Sequence, residues 1–135
     1  MTAADTAVLD ASVLVRSLTE PAGTASNWVA SVRDGRVDGH TAGFAFLEVA
    51  NALLGYVRAG ALTPADATGA LEVLLTLPLE RHGAALAPAA LSSAIDLELS
   101  AYDGAYAALA EALDAVLVTA DRRLAGAVPR AALVS

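Results

Sequence analysis

The sequence has no cysteine and no lysine. Without cysteine the chain forms no disulfide, carries no catalytic thiolate and builds no cysteine-based zinc site. Without lysine its eight basic residues are all arginine, and 15 acidic residues give a formal net charge of −7. Because nonspecific nucleic-acid binders usually show a basic surface, this balance argues against a protein of that class. The excess of carboxylates needs an explanation of its own.

Long apolar runs are absent as well. The longest stretch without Asp, Glu, Lys or Arg, residues 82–95, contains Pro88 and is shorter than the roughly 20 apolar residues that span a bilayer. No basic residue precedes Arg16, which argues against a secretory signal. We therefore expect a cytoplasmic protein with no membrane partner. Its 135 residues, 56% of them hydrophobic, fit one domain with a sizeable core.

Apolar periodicity alternates along the chain between short runs and helical spacing. Strands are predicted at residues 6–10, 37–41, 79–82, 115–119 and 131–134. Helices are predicted at residues 12–18, 24–33, 44–58, 63–76, 88–99, 103–113 and 121–125, with Thr24 and Thr63 as N-caps. Strands that alternate with helices predict an α/β fold of three layers, in which a mostly parallel central sheet is flanked by helices.

Four acidic residues stand where such a fold would gather them. Asp10 closes the first strand and Asp121 follows the strand at 115–119, and ligands of open parallel sheets bind outside the carboxyl ends of strands. Asp103 begins a predicted helix, and Glu48 lies on a helix that is otherwise apolar on its inward side. Carboxylates brought together would repel one another unless a cation lay between them. Ligation by oxygen alone favours a hard ion, Mg²⁺ or Mn²⁺.

The segments around these acids resemble the four acidic motifs of PIN-domain nucleases. They are VLDASVLV at residues 8–15, FLEVANAL at 46–53, AYDGAYAALA at 101–110 and LVTADRRL at 117–124. They follow the family's order and separations, and the resemblance covers about residues 6–134. It implies a PIN-like fold in which residues 1–135 form a single PIN domain. The short chain resembles the VapC-type toxins of type II toxin–antitoxin systems best.

The resemblance implies a metal-dependent endoribonuclease that hydrolyses phosphodiester bonds in cellular RNA. It implies a catalytic and metal-binding cluster formed by Asp10, Glu48, Asp103 and Asp121. Supporting roles are expected for Ser12, Asn51 and Thr119. The implied partners are a VapB-type antitoxin, which blocks the site, and a second copy of the chain in a homodimer. The RNA target stays open.

Three arginines are predicted to contact RNA, and one glycine departs from the family pattern. Arg16, Arg122 and Arg123 lie near the predicted catalytic ends of the strands and are the favoured partners of RNA phosphate. Gly104 stands where the family more often has alanine, so we expect a looser start of that helix.

Each acid also has an ordinary structural interpretation. Asp103 and Asp121 are possible helix N-caps, and Asp10 is a possible turn residue. Glu48 is hardest to explain in this way, because its neighbours in the sequence are apolar.

The histidines and tyrosines are assigned structural roles. His40 and His82 lack the spacing of a ligand pair, which favours surface or strand-edge positions. Tyr102 and Tyr106 lie four residues apart on a predicted helix, which favours core packing over stacking on a base.

Other functions remain as alternatives. A non-catalytic signalling module such as a receiver domain also gathers acids around Mg²⁺, but it normally needs a lysine. A haloacid-dehalogenase-like phosphatase would carry a second acid where Ser12 stands. A degenerate PIN domain retained for protein binding is a further alternative, although all four acids are present.

Overall fold

Five parallel strands form the central sheet of the computed structural model, which describes residues 5–135. They are β1 Asp5–Leu9, β2 Val37–Ala42, β3 Glu80–His82, β4 Val116–Thr119 and β5 Ala131–Leu133. Their order across the sheet is β3-β2-β1-β4-β5. Every pair of neighbours is parallel, so the predicted α/β class is confirmed and the sheet is more regular than "mostly parallel".

Seven α-helices flank the sheet in this part of the chain. They are α1 Ala11–Thr19, α2 Thr24–Arg33, α3 Ala45–Arg58, α4 Pro64–Leu75, α5 Ala87–Leu97, α6 Ala101–Leu113 and α7 Arg122–Ala127, and a 3-10 turn precedes α5 at Ala84–Leu86. Within residues 5–135, none of these helices combines the length and apolarity that crossing a membrane requires.

Several predicted boundaries move by one or two residues, in part because local capping differs from the expectation. Thr63 does cap α4, since its hydroxyl accepts from the Asp66 amide at 3.1 Å. Thr24 does not cap α2: Gly23 is the N-cap, and the Thr24 hydroxyl accepts from the Ser135 amide at 3.2 Å. Helix α5 stops at Leu97 because the next residue, Glu98, adopts a left-handed conformation with φ of 56°.

Gly104 is required by the contact between α5 and α6. A β-carbon at this position would lie 2.4 Å from the Ala90 carbonyl oxygen and 3.0 Å from the Ala94 amide nitrogen. The expected loosening of the helix start is wrong, because α6 begins at Ala101 and Ser100 caps it. The glycine lets the two helices approach each other closely.

The strand order creates a crevice between β1 and β4. The chain leaves β1 toward β2 and β3, and then returns through α5 and α6 to β4 on the other side of β1. Right-handed crossovers therefore place the helices of these two routes on opposite faces of the sheet. Ligands of open α/β sheets bind at such a reversal, at the carboxyl ends of the strands.

Candidate functional site

Asp10 lies at the carboxyl end of β1, beside β4, and only 5% of its surface is exposed. Its Oδ1 accepts hydrogen bonds from the Ser12 hydroxyl at 2.5 Å and the Val13 amide at 3.2 Å. Its Oδ2 accepts from the Thr119 hydroxyl at 2.5 Å. Asp10 is thus the N-cap of α1 rather than the last residue of the strand. The capping hydrogen bond from Val13 is made to Oδ1, and the hydroxyls of Ser12 and Thr119 hold Oδ1 and Oδ2 in place.

The same two hydroxyls connect Asp10 to the end of β4. The Ser12 oxygen accepts from the Ala120 amide at 2.9 Å. The Thr119 oxygen accepts from the Asp121 amide at 3.0 Å. Each hydroxyl therefore donates to Asp10 and accepts from the backbone that follows β4. Ser12 and Thr119, both predicted as supporting residues, hold the ends of β1 and β4 in one arrangement.

Asp121 caps α7, as its ordinary interpretation predicts. Its Oδ1 accepts from the Arg123 amide at 2.9 Å and the Leu124 amide at 3.3 Å. The residue is exposed. Asp10 and Asp121 both cap a helix beside the crevice, so capping and membership of an acidic cluster are compatible roles.

Glu48 enters the site from the first turn of α3. Its Oε1 accepts a hydrogen bond of 2.8 Å from the hydroxyl of Tyr106, whose side chain is buried in the core beneath it. The expected inward position of Glu48 is wrong, because the residue as a whole is exposed and only its carboxyl group is partly covered. Asn51, one turn further along α3, is also exposed, and its supporting role stays a prediction.

Asp103 is the third residue of α6 and is half-buried. The N-cap is Ser100, whose hydroxyl accepts from the Asp103 amide at 3.1 Å, so the interpretation of Asp103 as the cap is wrong. Burial raises the pKa of Asp103, and the charge of Asp121 raises it further. Hydrogen bonding to Ser100 and the charge of Arg123 act in the opposite direction.

The pKa values of the other acids show that Asp103 is electrostatically central. Burial raises the pKa of Asp10 to about 6 against the hydrogen bonds that it accepts, and the charge of Asp103 adds to this rise. Burial also raises the pKa of Glu48, opposed by the Tyr106 hydroxyl and again assisted by Asp103. Asp103 is therefore coupled by charge to each of the other three. The structure brings all four predicted acids together at the carboxyl edge of the sheet.

A cleft of about 520 Å³ opens beside Glu48 and is lined in part by Ser12 and Arg16. Arg16 is half-buried on α1, so one predicted RNA-binding arginine lies at this cleft.

The other two predicted arginines lie on α7 and are exposed. The guanidinium of Arg123 donates to the Glu98 carbonyl at 2.7 Å, and its charge lowers the pKa of Asp103. Arg122 is the first residue of α7, directly after Asp121.

Sequence reasoning missed the part that Tyr106 plays in the site. Core packing was the favoured role, and the ring is indeed buried, but its hydroxyl also positions Glu48. Burial, followed by the charge of Glu48, raises the pKa of this hydroxyl, so it stays protonated as a donor. The signal in the sequence was its place three residues after Asp103 on the same helix. For Tyr102 the expected core packing is wrong, because the residue is 62% exposed and its ring contacts only the Phe44 ring among the aromatic residues described.

The expectation for the two histidines was wrong for one of them. His40 is buried, so the expected surface position is wrong for it, although His82 does lie on the edge strand β3. Their ring nitrogens are 2.9 Å apart. Together with Glu80 they form the one group of three or more His, Asp or Glu residues within residues 5–135 whose donor atoms all lie within 4.8 Å of one another, a group able to hold a metal ion. The pairing of β2 with β3 creates this group, which no local spacing reveals.

Comparison with known proteins gives a consistent result. The family model for the PIN domain matches residues 7–128. The chain is 39% identical over 125 residues to ribonuclease VapC3 of two Mycobacterium tuberculosis strains, which covers 92% of this chain and 88% of the relative.

Solved structures share the fold. PAE2754 from Pyrobaculum aerophilum matches with a TM-score of 0.76 and 28% identity, covering 96% of this chain and 90% of the other. A chain of VapBC2 from Rickettsia felis, solved bound to a DNA fragment from its promoter, matches with a TM-score of 0.70 and 14% identity, covering 95% and 98%. The second likeness bears on the fold alone.

Proposed function

This chain belongs to the PIN-domain family, and on that premise we propose that it is a metal-dependent endoribonuclease, the growth-arresting toxin of a VapBC-type toxin–antitoxin pair. A receiver domain and a haloacid-dehalogenase-like phosphatase are set aside by this family membership. The observation that carries the proposal is the set of four carboxylates, coupled by charge, at the carboxyl ends of β1 and β4. The relative named as a ribonuclease supports the same activity.

The donor chemistry of this cluster fits a hard divalent cation, Mg²⁺ or Mn²⁺. Burial opposes the ionised form of Asp10, and Asp103 adds a like charge beside it, so a cation would relieve both costs. Within residues 5–135, no three of the four carboxylates place oxygen atoms within 4.8 Å of one another. This spacing suits an ion that takes one or two carboxylates directly. When bound, the cation would supply positive charge that stabilises the developing charge of the phosphodiester.

The protein's own groups orient the site for this chemistry. The hydroxyls of Ser12 and Thr119 hold the buried Asp10 carboxylate in one position before substrate arrives. The Tyr106 hydroxyl holds Oε1 of Glu48. Of the four acids, Glu48 is the one that lines the cleft, and burial raises its pKa. We assign it the role of accepting a proton from the attacking water.

Substrate and partners follow from the charge and shape of the site. With a net charge of −7, the protein would select particular RNA elements by shape and not bind RNA generally. Arg16, Arg122 and Arg123 are the proposed contacts to phosphate. A VapB-type antitoxin would cover the cleft, and Leu47, which is 75% exposed beside Glu48, offers it an apolar contact. We expect the protein to act in the cytoplasm as a homodimer.

Two substitutions test the proposal. Asp10→Asn and Asp121→Asn should each abolish RNA cleavage with Mg²⁺ and growth arrest on expression, while circular dichroism shows an intact fold. Asp114→Asn is the matched control, because Asp114 is exposed at the far end of α6, in a left-handed conformation (φ 50°) that asparagine tolerates. Cleavage that persists in both site variants, and in chelator, would refute the assigned mechanism.

A further inference from the structure

Both histidines of the chain are brought to one face of the sheet by the pairing of β2 with β3. The register places His40 opposite Glu80, and His82 opposite Ala42. Because side chains alternate between the two faces of a strand, residues two apart share a face. Asp38, His40, Glu80 and His82 therefore point to the same side of the sheet, and none of them is one of the four acids of the proposed nuclease site.

The donor atoms of this group all lie within 4.8 Å of one another, which is close enough for one ion to be bound by all three residues. Nδ1 of His40 is 2.9 Å from Nε2 of His82 and 3.3 Å from Oε2 of Glu80. A tetrahedral Zn²⁺, with bonds of about 2.0–2.1 Å to nitrogen and oxygen, holds its ligand atoms about 3.3 Å apart. The side chain of Glu80 is 67% exposed, so its carboxylate is free to move to ligand distance from Nε2 of His82.

The proton arrangement also leaves room for a cation. Nε2 of His40 is 3.0 Å from Oδ2 of Asp38, so this nitrogen carries the proton and donates it. In the neutral ring Nδ1 then presents a lone pair, which accepts the proton of Nε2 of His82 at 2.9 Å and lies 3.3 Å from Oε2 of Glu80. A metal ion that took the place of this proton would meet both ring nitrogens and the Glu80 carboxylate. Metal-bound histidines typically donate their other ring N–H to a carboxylate in this way.

We propose that His40, Glu80 and His82 form a second metal site, one that takes a transition metal of the Zn²⁺ class. Two imidazoles and one carboxylate favour Zn²⁺, Co²⁺ or Ni²⁺ over Mg²⁺, which prefers oxygen ligands. The arginine of β3, Arg81, does not place its charge at this metal site. Arg81 turns away, stacks on the Phe46 ring and donates to the Leu75 carbonyl.

The location assigns the ion a structural role. Strand β3 has three residues and lies at the edge of the sheet, where a metal bridge to β2 would hold it in place. The carbonyl of His82 accepts from the Gly43 amide at 2.7 Å, and the segment after Gly43 leads directly into α3, which carries Glu48. The bridge therefore stabilises the start of the helix that delivers Glu48 to the cleft.

Zinc titration of protein without a histidine tag tests this site, with excess Mg²⁺ present to occupy the acidic cluster. One equivalent of Zn²⁺ should shift the ring ¹⁵N signals of both histidines and raise the melting temperature. Co²⁺ should give the visible absorption of a tetrahedral ion. His82→Gln should lose these responses. Glu80→Gln, which removes a direct ligand, should weaken Zn²⁺ binding at least about tenfold, because even outer-shell partners contribute about 10–100-fold.

The matched control is Glu72→Gln, an exposed carboxylate on α4 that should leave zinc binding unchanged. His82 and Glu80 are not fully buried, so their variants remain testable even if His40→Gln does not fold. Histidine signals that stay in place on addition of Zn²⁺ would overturn the proposal. So would a thermal response that is the same in His82→Gln and in the parent protein, because the ion would then be bound elsewhere.

Discussion

At the scale of single residues, the site depends on the hydrogen bonds that two hydroxyl groups donate to one buried carboxylate. Ser12 and Thr119 each donate to Asp10 at 2.5 Å, and charge-assisted hydrogen bonds of this kind favour the ionised form. Burial outweighs them, so the pKa of Asp10 rises to about 6. The carboxylate is fixed in place but costly to ionise, and this is the state that a bound cation would relieve.

This pKa predicts how the stability of the metal-free protein depends on pH. The unfolded chain releases the Asp10 proton near the ordinary value of 3.8, and the folded protein holds it until about 6. Within this window the folded state binds more protons, so the free energy of unfolding falls as pH rises. Asp10→Asn removes the ionisation, and from about pH 4 to about pH 7.5 its stability relative to the parent should improve by up to about 3 kcal/mol.

Urea denaturation of both proteins in chelator, at each pH, measures this difference. Hydrogen bonds lost in the variant lower its free energy of unfolding similarly at both pH values. The change in relative stability with pH therefore reports the ionisation of Asp10. A relative stability that does not vary between the two conditions would show that the folded site accommodates the charge without a cation.

At the scale of the elements, the contact between α5 and α6 positions Asp103. Residues 104–110 of α6 are all buried, and Gly104 lies against the backbone of α5 without space for a side chain. Ser100 fixes the first turn through the Asp103 amide. The glycine that departs from the family pattern is therefore part of the packing that carries Asp103 to the edge of the sheet.

Gly104→Ala should lower the free energy of unfolding by at least about 1–3 kcal/mol, as overpacking of a filled core does, because the new β-carbon would meet the Ala90 carbonyl. Gly69→Ala on α4 is the matched control, since its β-carbon would meet nothing within 4 Å. That variant should gain about 0.5–1 kcal/mol from helix propensity. Thermal denaturation of the two variants measures these changes in stability. An equal change in melting temperature in both would contradict the prediction, because α5 would then move aside at little cost.

At the scale of the whole molecule, the balance of charge limits how RNA is bound. Two of the eight arginines form ion pairs elsewhere: Arg36 pairs with Asp34 and Arg130 with Asp114, each at 3.1 Å. If Arg16, Arg122 and Arg123 are the phosphate contacts, a plot of log affinity against log salt should have a slope of only about −2, at about −0.7 per contact to single-stranded RNA.

Fluorescence anisotropy with the inactive Asp10→Asn protein measures this slope. Arg16→Gln should make it shallower by about 0.7, whereas Arg33→Gln, at the end of α2, should leave it unchanged. A slope steeper than about −5 would reveal a larger basic footprint than these three side chains provide.

Much of the fold and the candidate cluster follows from local patterns. Each strand and helix is encoded by the period of its own apolar residues, and the acids Asp10 and Asp121 come directly after strands whose ends must meet in a parallel sheet. Boundaries moved where capping decided them, as at Glu98. The inward direction expected for Glu48 was wrong because apolar neighbours in sequence do not determine which side of a helix faces the core.

The sequence alone determined which acids would meet and at which edge of the sheet, because strand direction and helix period are properties of short segments. Only the tertiary structure decided what holds those acids and what lies beside them. The hydroxyl of Tyr106 on Glu48, the need for glycine at position 104 and the meeting of His40 with His82 all join segments far apart in the chain. Such contacts are set by the packing of whole elements, and a local pattern carries no record of them.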